Sequence, residues 1–269
     1  MCEEKPRTVG SLFAGIGGFD LGLEHAGYKV EWQVENDRFA ATILERHWPA
    51  VTRFGDIREA VRCELPAVDV VCGGDPCPIR SRARRGRASI HPDLAGYFLA
   101  VVGRVRPGWV VRENVSAPDV RDFVVGLERL GYGTVVVELN SRDFTAQNRR
   151  RQYVVGGPRS RFDVFRERLA AFSVADDGRG TRPQGEEAQT MAHCLTAHPR
   201  RLAEDNYVLD PGLGVRSLAA EERELLQGFP AGWTKELSWS RRCILIGRAV
   251  TVPVATWLGQ RMNESGRNY

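Results

Sequence analysis

A thiol at position 77 closes the run Val70-Val71-Cys72-Gly73-Gly74-Asp75-Pro76-Cys77-Pro78, in which an apolar stretch of buried-strand character runs into a tight turn. In an open α/β sheet the ligand crevice lies beyond the carboxyl ends of the strands, so a cysteine in that turn faces the place where chemistry is done. Gly and Pro also punctuate ordinary loops, and a lone cysteine is more often a small packed hydrophobe. Other reactive residue types recur further along. Glu113 and Asn114 follow the apolar run Trp109-Val110-Val111, and Arg149 and Arg151 lie in Gln147-Asn148-Arg149-Arg150-Arg151. Taken singly, Glu113 reads as a salt-bridged strand-end acid and the arginines as a solvated basic turn.

Positioning such residues requires strands that alternate with helices. Arg7 to Phe13 reads as a first strand, Gly15, Gly17 and Gly18 permit a tight turn, and a helix follows that Gly27 ends. Such a turn lets a ligand approach backbone amides at a helix N-terminus, although tight packing explains it equally well. Tyr28 to Val34 alternates as a second strand and stops at Glu35, where an acid can accept hydrogen bonds from ribose hydroxyls. Asp56-Ile57, after Phe54-Gly55, ends a third short strand and suits an adenine amino group; the alternative for Asp56 is a helix N-cap. Phe39, Ala40, Ile43, Leu44 and Trp48 recur at helical spacing, as do Leu94, Tyr97, Phe98, Val101, Val102 and Val105 before Pro107-Gly108. Thr134 to Leu139 and Tyr153 to Gly156 are β-rich and finish the sheet as a hairpin-like edge. The fold class expected is therefore α/β, a doubly wound, Rossmann-like mixed sheet. From Pro158 the sequence is charged and helix-like to Phe172, then loop-like from Asp176 to Pro183, which marks a small second domain. The division expected is 1–157, a small region over 158–215, and a return to the large domain over 216–269.

A chain of 269 residues suffices for a full core. With 38 basic and 34 acidic residues the formal charge is only +4, which excludes a polybasic tail but allows a local basic groove for nucleic acid. Such a groove has a source, because Arg80, Arg82, Arg84, Arg85 and Arg87 fall within eight residues and no acid interrupts them. Six cysteines are scattered without a CxxC pair, so neither a zinc site nor disulfides are expected and no metal is assigned. The N-terminus lacks the apolar core of a signal peptide, and no run reaches the ~18 apolar residues of a membrane span. A cytoplasmic monomer with reduced thiols, in a bacterial or phage-infected cell and without a membrane partner, is the expectation.

In chain order, Ser11-Leu12-Phe13-Ala14-Gly15-Ile16-Gly17-Gly18-Phe19-Asp20, Pro76-Cys77, Glu113-Asn114-Val115, Gln147-Asn148-Arg149-Arg150-Arg151 and Ile246-Gly247-Arg248-Ala249-Val250 form a set that resembles the motifs of the cytosine-C5 DNA methyltransferase family. Gln227-Gly228-Phe229-Pro230 is similar to another late motif, and only about residues 158–190 fall outside the resemblance. The resemblance implies an enzyme that alkylates C5 of a cytosine flipped out of double-stranded DNA. Cytosine C5 is a poor nucleophile, so a thiolate must first add at C6, and the resemblance gives that role to Cys77. Glu113 would bond N3 and the exocyclic amine, with Arg149 and Arg151 on the O2 side and a nearby phosphate. An S-adenosyl donor would lie against Phe13, Ala14, Gly15, Gly17 and Gly18, with Glu35 on its ribose and Asp56 and Ile57 at its adenine. The loop that carries the five arginines would close on DNA through phosphates or guanine edges.

Several residues depart from the family pattern. Asp75 stands where an apolar residue or Pro is usual, Pro78 where Gln is, and Arg80 where an aromatic is. The region between Gly157 and Arg216 is short for target recognition, so a site of few base pairs is expected. Arg248 stands where the last motif carries Asn, near the donor's positive sulfonium. A permanent cation there needs a negative neighbour, which is an acid such as Asp75, the donor's amino-acid carboxylate, or a carboxymethyl group on the sulfonium itself. The donor is thus S-adenosyl-L-methionine or carboxy-S-adenosyl-L-methionine, giving 5-methylcytosine or 5-carboxymethylcytosine. The rival readings are a DNA-binding module of the same fold with impaired catalysis, and an RNA cytosine-C5 methyltransferase.

Overall fold

The computed structural model describes residues 6–76, 94–115, 119–173, 192–195, 207–210, 212 and 214–265. Strand β1 (Thr8–Leu12) is followed by α1 (Gly18–His25), β2 (Lys29–Val34), α2 (Arg38–His47), β3 (Thr52–Phe54), α3 (Ile57–Ala60), β4 (Val70–Gly73), α4 (Ala95–Val105), β5 (Trp109–Asn114) and α5 (Val120–Arg129). After these come β6 (Tyr132–Asn140), β7 (Gln147–Asn148), β8 (Arg150–Pro158), α6 (Arg159–Ser173), β9 (Ala192–His193), β10 (Tyr207–Asp210) and β11 (Gly214–Ser217). Three helices end the described chain: α7 (Ala220–Leu226), α8 (Trp239–Arg248) and α9 (Val252–Ser265).

The apolar runs form strands because both of their faces are buried, as β-branched residues on a pleated ribbon favour. Val70 and Val71 on β4, like Val111 and Val110 on β5, belong to opposite core layers. One layer is made with α1, α2, α6 and α9, the other with α3, α4 and α5. The result is the doubly wound α/β sandwich that the alternation of elements implies.

The main sheet has the order β3-β2-β1-β4-β5-β8-β6. Its first five strands are parallel, whereas β8 runs antiparallel to both β5 and β6. Because β1 pairs with β2 on one side and β4 on the other, the direction of winding reverses between β1 and β4, which opens a crevice at their carboxyl ends. Leu12 pairs with Gly73, so the turn after β1 and the stem Gly74-Asp75-Pro76 leave the sheet side by side.

The hairpin-like edge forms, but with β8 inside. Tyr153, Val154 and Val155 are buried, whereas Val136 on β6 is exposed, and the more apolar strand takes the covered position. Helix α6 packs Phe162, Phe165 and Leu169 into the layer that holds Trp109 and Met262, so residues 159–173 lie on the sheet of the large domain. Its exposed side carries the charges that set the segment apart in the sequence. Helices α8 and α9 together make the single stretch among the described residues that is long and apolar enough to cross a membrane. Ala249–Thr251 separates the two helices, and their apolar side chains are buried in the core around α1.

Candidate active site

Backbone contact is what the turn after β1 offers. Phe13 has φ of +52°, a left-handed conformation uncommon outside glycine, and Gly15 and Gly17 follow it at +59° and +85°. Ala14 donates its N–H to the carbonyl of Val34 at 3.1 Å, which ties the turn to β2. A Cβ built on Gly15 meets only the Phe13 carbonyl, at 4.0 Å, so the space over this amide is open. Glu35 fastens the turn from the end of β2: one carboxylate oxygen accepts from Gly15 N–H at 2.7 Å and the other from Asp37 N–H at 2.8 Å. Burial pushes its carboxyl above the usual range, and the two amides pull against that. A carboxylate has about four acceptor positions, so Glu35 can still take hydroxyl protons. The open cradle and this acceptor fit a ribose-bearing donor.

At the end of β3 Asp56 caps α3 through Arg58 N–H at 2.8 Å, and the Arg58 guanidinium also holds its carboxylate. Those bonds to Arg58 keep Asp56 below the usual carboxylate range. Ile57 turns its side chain into the core, which leaves its main chain for any contact with a donor.

Glu113 is buried near the carboxyl end of β5, and Arg151 places Nε 3.1 Å from its Oε1. Burial pushes this carboxyl up, while Arg151 and then Arg149 pull it down. Oε1 nevertheless has no aligned hydrogen-bond donor among the described residues. A Cβ on Gly74 would come within 2.9 Å of Glu113 Oε2, so a larger residue in the stem after β4 would make that carboxylate shift.

The two arginines that the sequence groups together meet at Cys194 Sγ, which lies 3.5 Å from Arg149 Nη1 and 3.6 Å from Arg151 Nη2, but otherwise have different partners. Arg149 is buried, and its Nη1 donates to the carbonyls of Leu195 at 3.1 Å and Gly247 at 3.2 Å, its Nη2 to that of Ala249 at 3.0 Å. It acts as a strut between β8, the Cys194-Leu195 segment and the end of α8. Arg151 keeps its guanidinium beside Glu113 and donates from Nη1 to the carbonyl of Arg150 at 2.7 Å.

Arg112 escaped the sequence reading. Its Nε and Nη2 bind Asp75 Oδ1 and Oδ2 at 2.5 and 2.7 Å, and Nη2 also reaches Asp119 Oδ2 at 2.7 Å. The guanidinium lies 4.4 Å over the Phe123 ring, and Asn114 Nδ2 donates to the Asp75 carbonyl at 3.2 Å. Asp75 is paired with Arg112 through both oxygens of its carboxylate, and no ion pair joins it to Arg248 among the described residues. The available signal was an arginine next to an apolar run, which burial obliges to find an acid.

The C-terminal motifs return over the glycine turn. Trp233 Nε1 donates to the Ile16 carbonyl at 2.8 Å, and its ring stacks on His47 with centroids 3.4 Å apart. A Cβ on Gly18 would lie 2.5 Å from the Val250 carbonyl, so the start of α1 and the Ala249–Thr251 link are in close contact. Arg248, two residues before Val250, is exposed and makes no hydrogen bond or ion pair with another described residue.

Cys77 and Arg80, Arg82, Arg84, Arg85 and Arg87 lie outside the described residues. Cys72 on β4 is fully buried and burial pushes its thiol up, which makes it an inert core residue. Among the described residues no group of His, Cys, Asp and Glu is placed to hold a metal.

A family model for C-5 cytosine-specific DNA methylase matches residues 7–175. Type II methyltransferase M2.BsuMI of Bacillus subtilis (strain 168) is 27% identical over an alignment that covers 95% of this chain and 75% of that protein. Type II methyltransferase M.FnuDI of Fusobacterium nucleatum is 33% identical, over 54% of this chain and 45% of its own length. Among solved structures, the Entamoeba histolytica methyltransferase EhMeth has the same fold, with a TM-score of 0.72 over 98% of this chain and 100% of that one at 13% identity.

Proposed function

Since the chain belongs to the C-5 cytosine-specific DNA methylase family, we propose that it alkylates C5 of cytosine in double-stranded DNA with an S-adenosyl donor. The observation that carries this reading is the pairing of Glu113 with Arg151 beside the stem that leads to Cys77, one strand away from the open glycine turn. A duplex hides C6 of its bases, so the target cytosine must leave the stack to reach this crevice.

In the proposed reaction the Cys77 thiolate adds to C6 and forms an S–C bond, and the displaced ring electrons move toward C5 and N3. Glu113, buried and biased toward its acid form, shares its proton with N3 and accepts from the exocyclic amine, which stabilises the enamine. Arg151 offers its donors to the O2 side. The donor would supply an electrophilic carbon on a sulfonium: C5 forms a bond to that carbon as the C–S bond breaks, and the sulfur leaves as a neutral thioether. Loss of the C5 proton to a base and expulsion of the thiolate then restore the aromatic ring. Glu35, the Phe13–Gly18 turn, Asp56 and the main chain of Ile57 hold the donor, while Arg149 acts on the architecture behind the site. The arginine-rich segment after Cys77 binds DNA, and the chain after α6 within the 158–215 region selects a short target. The protein works as a monomer in the cytoplasm of a bacterial or phage-infected cell, without a metal.

One observation favours a second donor. Arg248 is exposed, finds no acid among the described residues, and lies two residues from the Val250 carbonyl that abuts the start of α1. A carboxylate on the transferred group would pair with it, making the donor carboxy-S-adenosylmethionine and the product 5-carboxymethylcytosine. The test is to offer both donors at equal concentration, separately with duplex DNA and with RNA, and to weigh the released nucleosides. A modified deoxycytidine supports the reading, and a product on RNA alone, or DNA binding with no product, overturns it. Carboxymethylation that Arg248→Asn abolishes would assign Arg248 as the selector, whereas 5-methylcytosine alone leaves the methyl donor.

A further inference from the structure

We propose that the buried Asp75–Arg112 ion pair is a positioning device that sets the stem of the nucleophile loop against the strand of Glu113, a role that rests on the alkyltransferase reading above. Asp75 is two residues before Cys77, and Arg112 is the residue before Glu113. The pair therefore links a residue two positions before Cys77 to the residue next to Glu113, the two groups that must act on one cytosine ring.

Three features separate this contact from an ordinary core ion pair. First, it is bidentate, with bonds of 2.5 and 2.7 Å, and such a fork fixes orientation as well as distance. Second, a further strap acts on the same residue: Asn114 Nδ2 donates to the Asp75 carbonyl at 3.2 Å, so the side chain and main chain of Asp75 are both held from the end of β5. Third, the same Nη2 of Arg112 also reaches Asp119 at 2.7 Å, at the entrance of α5, while Nη1 has no partner among the described residues. One guanidinium thus ties the stem after β4, the end of β5 and the start of α5 at a single point. Neither carboxylate is needed for net charge alone, because one acid would neutralise Arg112. Asp119 supplies a second acid, and Asp75 supplies geometry. Consecutive Cα atoms are about 3.8 Å apart, so holding Asp75 restricts Cys77 to within roughly 7 Å of it.

The stem also passes Glu113 closely, since a Cβ on Gly74 would lie 2.9 Å from Glu113 Oε2. A small displacement of Asp75 therefore changes the spacing of nucleophile and acid, and misplacement by about 1 Å can cost about 100-fold in rate. Asp75 and Arg112 do not touch the reacting atoms in this account; they act through the residues beside them.

The experiment uses the full chain, with duplex DNA that carries 5-fluorocytosine, and follows covalent trapping under single-turnover conditions. Wild-type protein that fails to trap would refute the alkyltransferase reading itself and is read before any variant. With wild type trapping, Asp75→Asn is expected to trap about 10- to 100-fold more slowly, measured well below its lowered melting temperature, while donor affinity and DNA affinity stay near wild type. Asp119→Asn, which leaves the fork intact, is expected to trap within about threefold of wild type. Trapping by Asp75→Asn at the wild-type rate overturns the proposal, as does an equal loss in Asp119→Asn, which would indicate charge balance instead of positioning. If Asp75→Asn does not fold, Arg112→Lys, which keeps the charge and loses the bidentate fork, provides the same reading. Slow trapping by that folded variant supports positioning, and wild-type trapping overturns it.

Discussion

Nε of Arg151 lies 3.1 Å from Oε1 of Glu113, an ion pair by distance in which no donor is aimed squarely at the acceptor. A buried carboxyl in that state is neither free nor satisfied. It gains when a substrate brings a well-aligned partner, which is the situation of an acid that waits for a base edge.

Replacing Glu113 with Gln is therefore expected to slow the single-turnover rate about 100-fold or more while donor binding is unchanged. Glutamine also cannot ionise. Burial raises the carboxyl, so its acid form persists to higher pH than usual and is lost as pH rises through the folded-state value. The alkaline fall of the rate that belongs to Glu113 should vanish in the variant, and a pH–rate profile checks it. Cys77→Ser should abolish both product and trapping on 5-fluorocytosine DNA with donor binding retained.

Arg149 and Arg151 should separate in experiment. Arg149→Met leaves the carbonyls of Leu195 and Gly247 without its guanidinium, while Gln227 Nε2 still serves that of Ala249 at 3.3 Å, and each unsatisfied buried acceptor costs ~1–3 kcal/mol. Denaturant unfolding should show a loss of about 3 kcal/mol or more. With Arg151→Met the buried Glu113 takes up a proton in place of standing as an unpaired charge, so stability falls little and the single-turnover rate falls about 100-fold. The same loss of stability in both variants would contradict the assignment.

Asp20 gives a stability signature with a defined sign. It is buried on α1, where its Oδ1 accepts from Ser11 Oγ at 2.8 Å and Gln33 Nε2 at 2.9 Å while Oδ2 has no donor. Burial outweighs those bonds and pushes its carboxyl from 3.8 up to about 6. The folded state therefore holds a proton that the unfolded chain has released. This contribution is favourable at low pH and is lost as pH rises from about 4 to about 6, to a deficit on the order of 3 kcal/mol above that window. Asp20→Asn should remove the slope and raise stability at pH 8; a variant less stable than wild type there would refute the account. Melting temperature against pH is the measurement.

Much of this site is legible in the sequence because its parts sit at strand ends, and strand ends are marked by apolar runs that stop at Gly15, Glu35, Asp56, Gly74 and Glu113. The alternation of runs also gives the layering. What stays hidden is partner choice across the sheet. Nothing in one chain says that Arg112 reaches Asp75, 37 positions earlier, or that Arg149 turns to Gly247, 98 positions later. Adjacency in the arginine cluster makes Arg149 and Arg151 look alike, yet apart from Cys194 Sγ, which both reach, their hydrogen-bond partners differ. Helix α6 was assigned by its charges to another region, and only its buried Phe162, Phe165 and Leu169 place it on the sheet.

Salt dependence tests the segment between β4 and α4. Replacing Arg84 and Arg85 together with Ala should lower the slope of log affinity against log salt by about two, if both neutralise phosphates. Fluorescence anisotropy with duplex DNA over a range of potassium chloride measures it, and an unaltered slope removes these two residues from the DNA contact.

Strand β8 lies between β5 and β6, although it is made after both. While the chain is being synthesised, β6 has no partner in the main sheet until residues 150–158 emerge, because its pairing is with β8 alone. The outer edge of β5, which carries Glu113, stays open for the same interval. A nascent chain halted before residue 150 would display that edge as an unpaired, apolar strand of the kind that recruits other chains. The acid at the centre of the proposed chemistry thus belongs to the part of the sheet that is sealed last, and folding yield should depend on how soon β8 arrives.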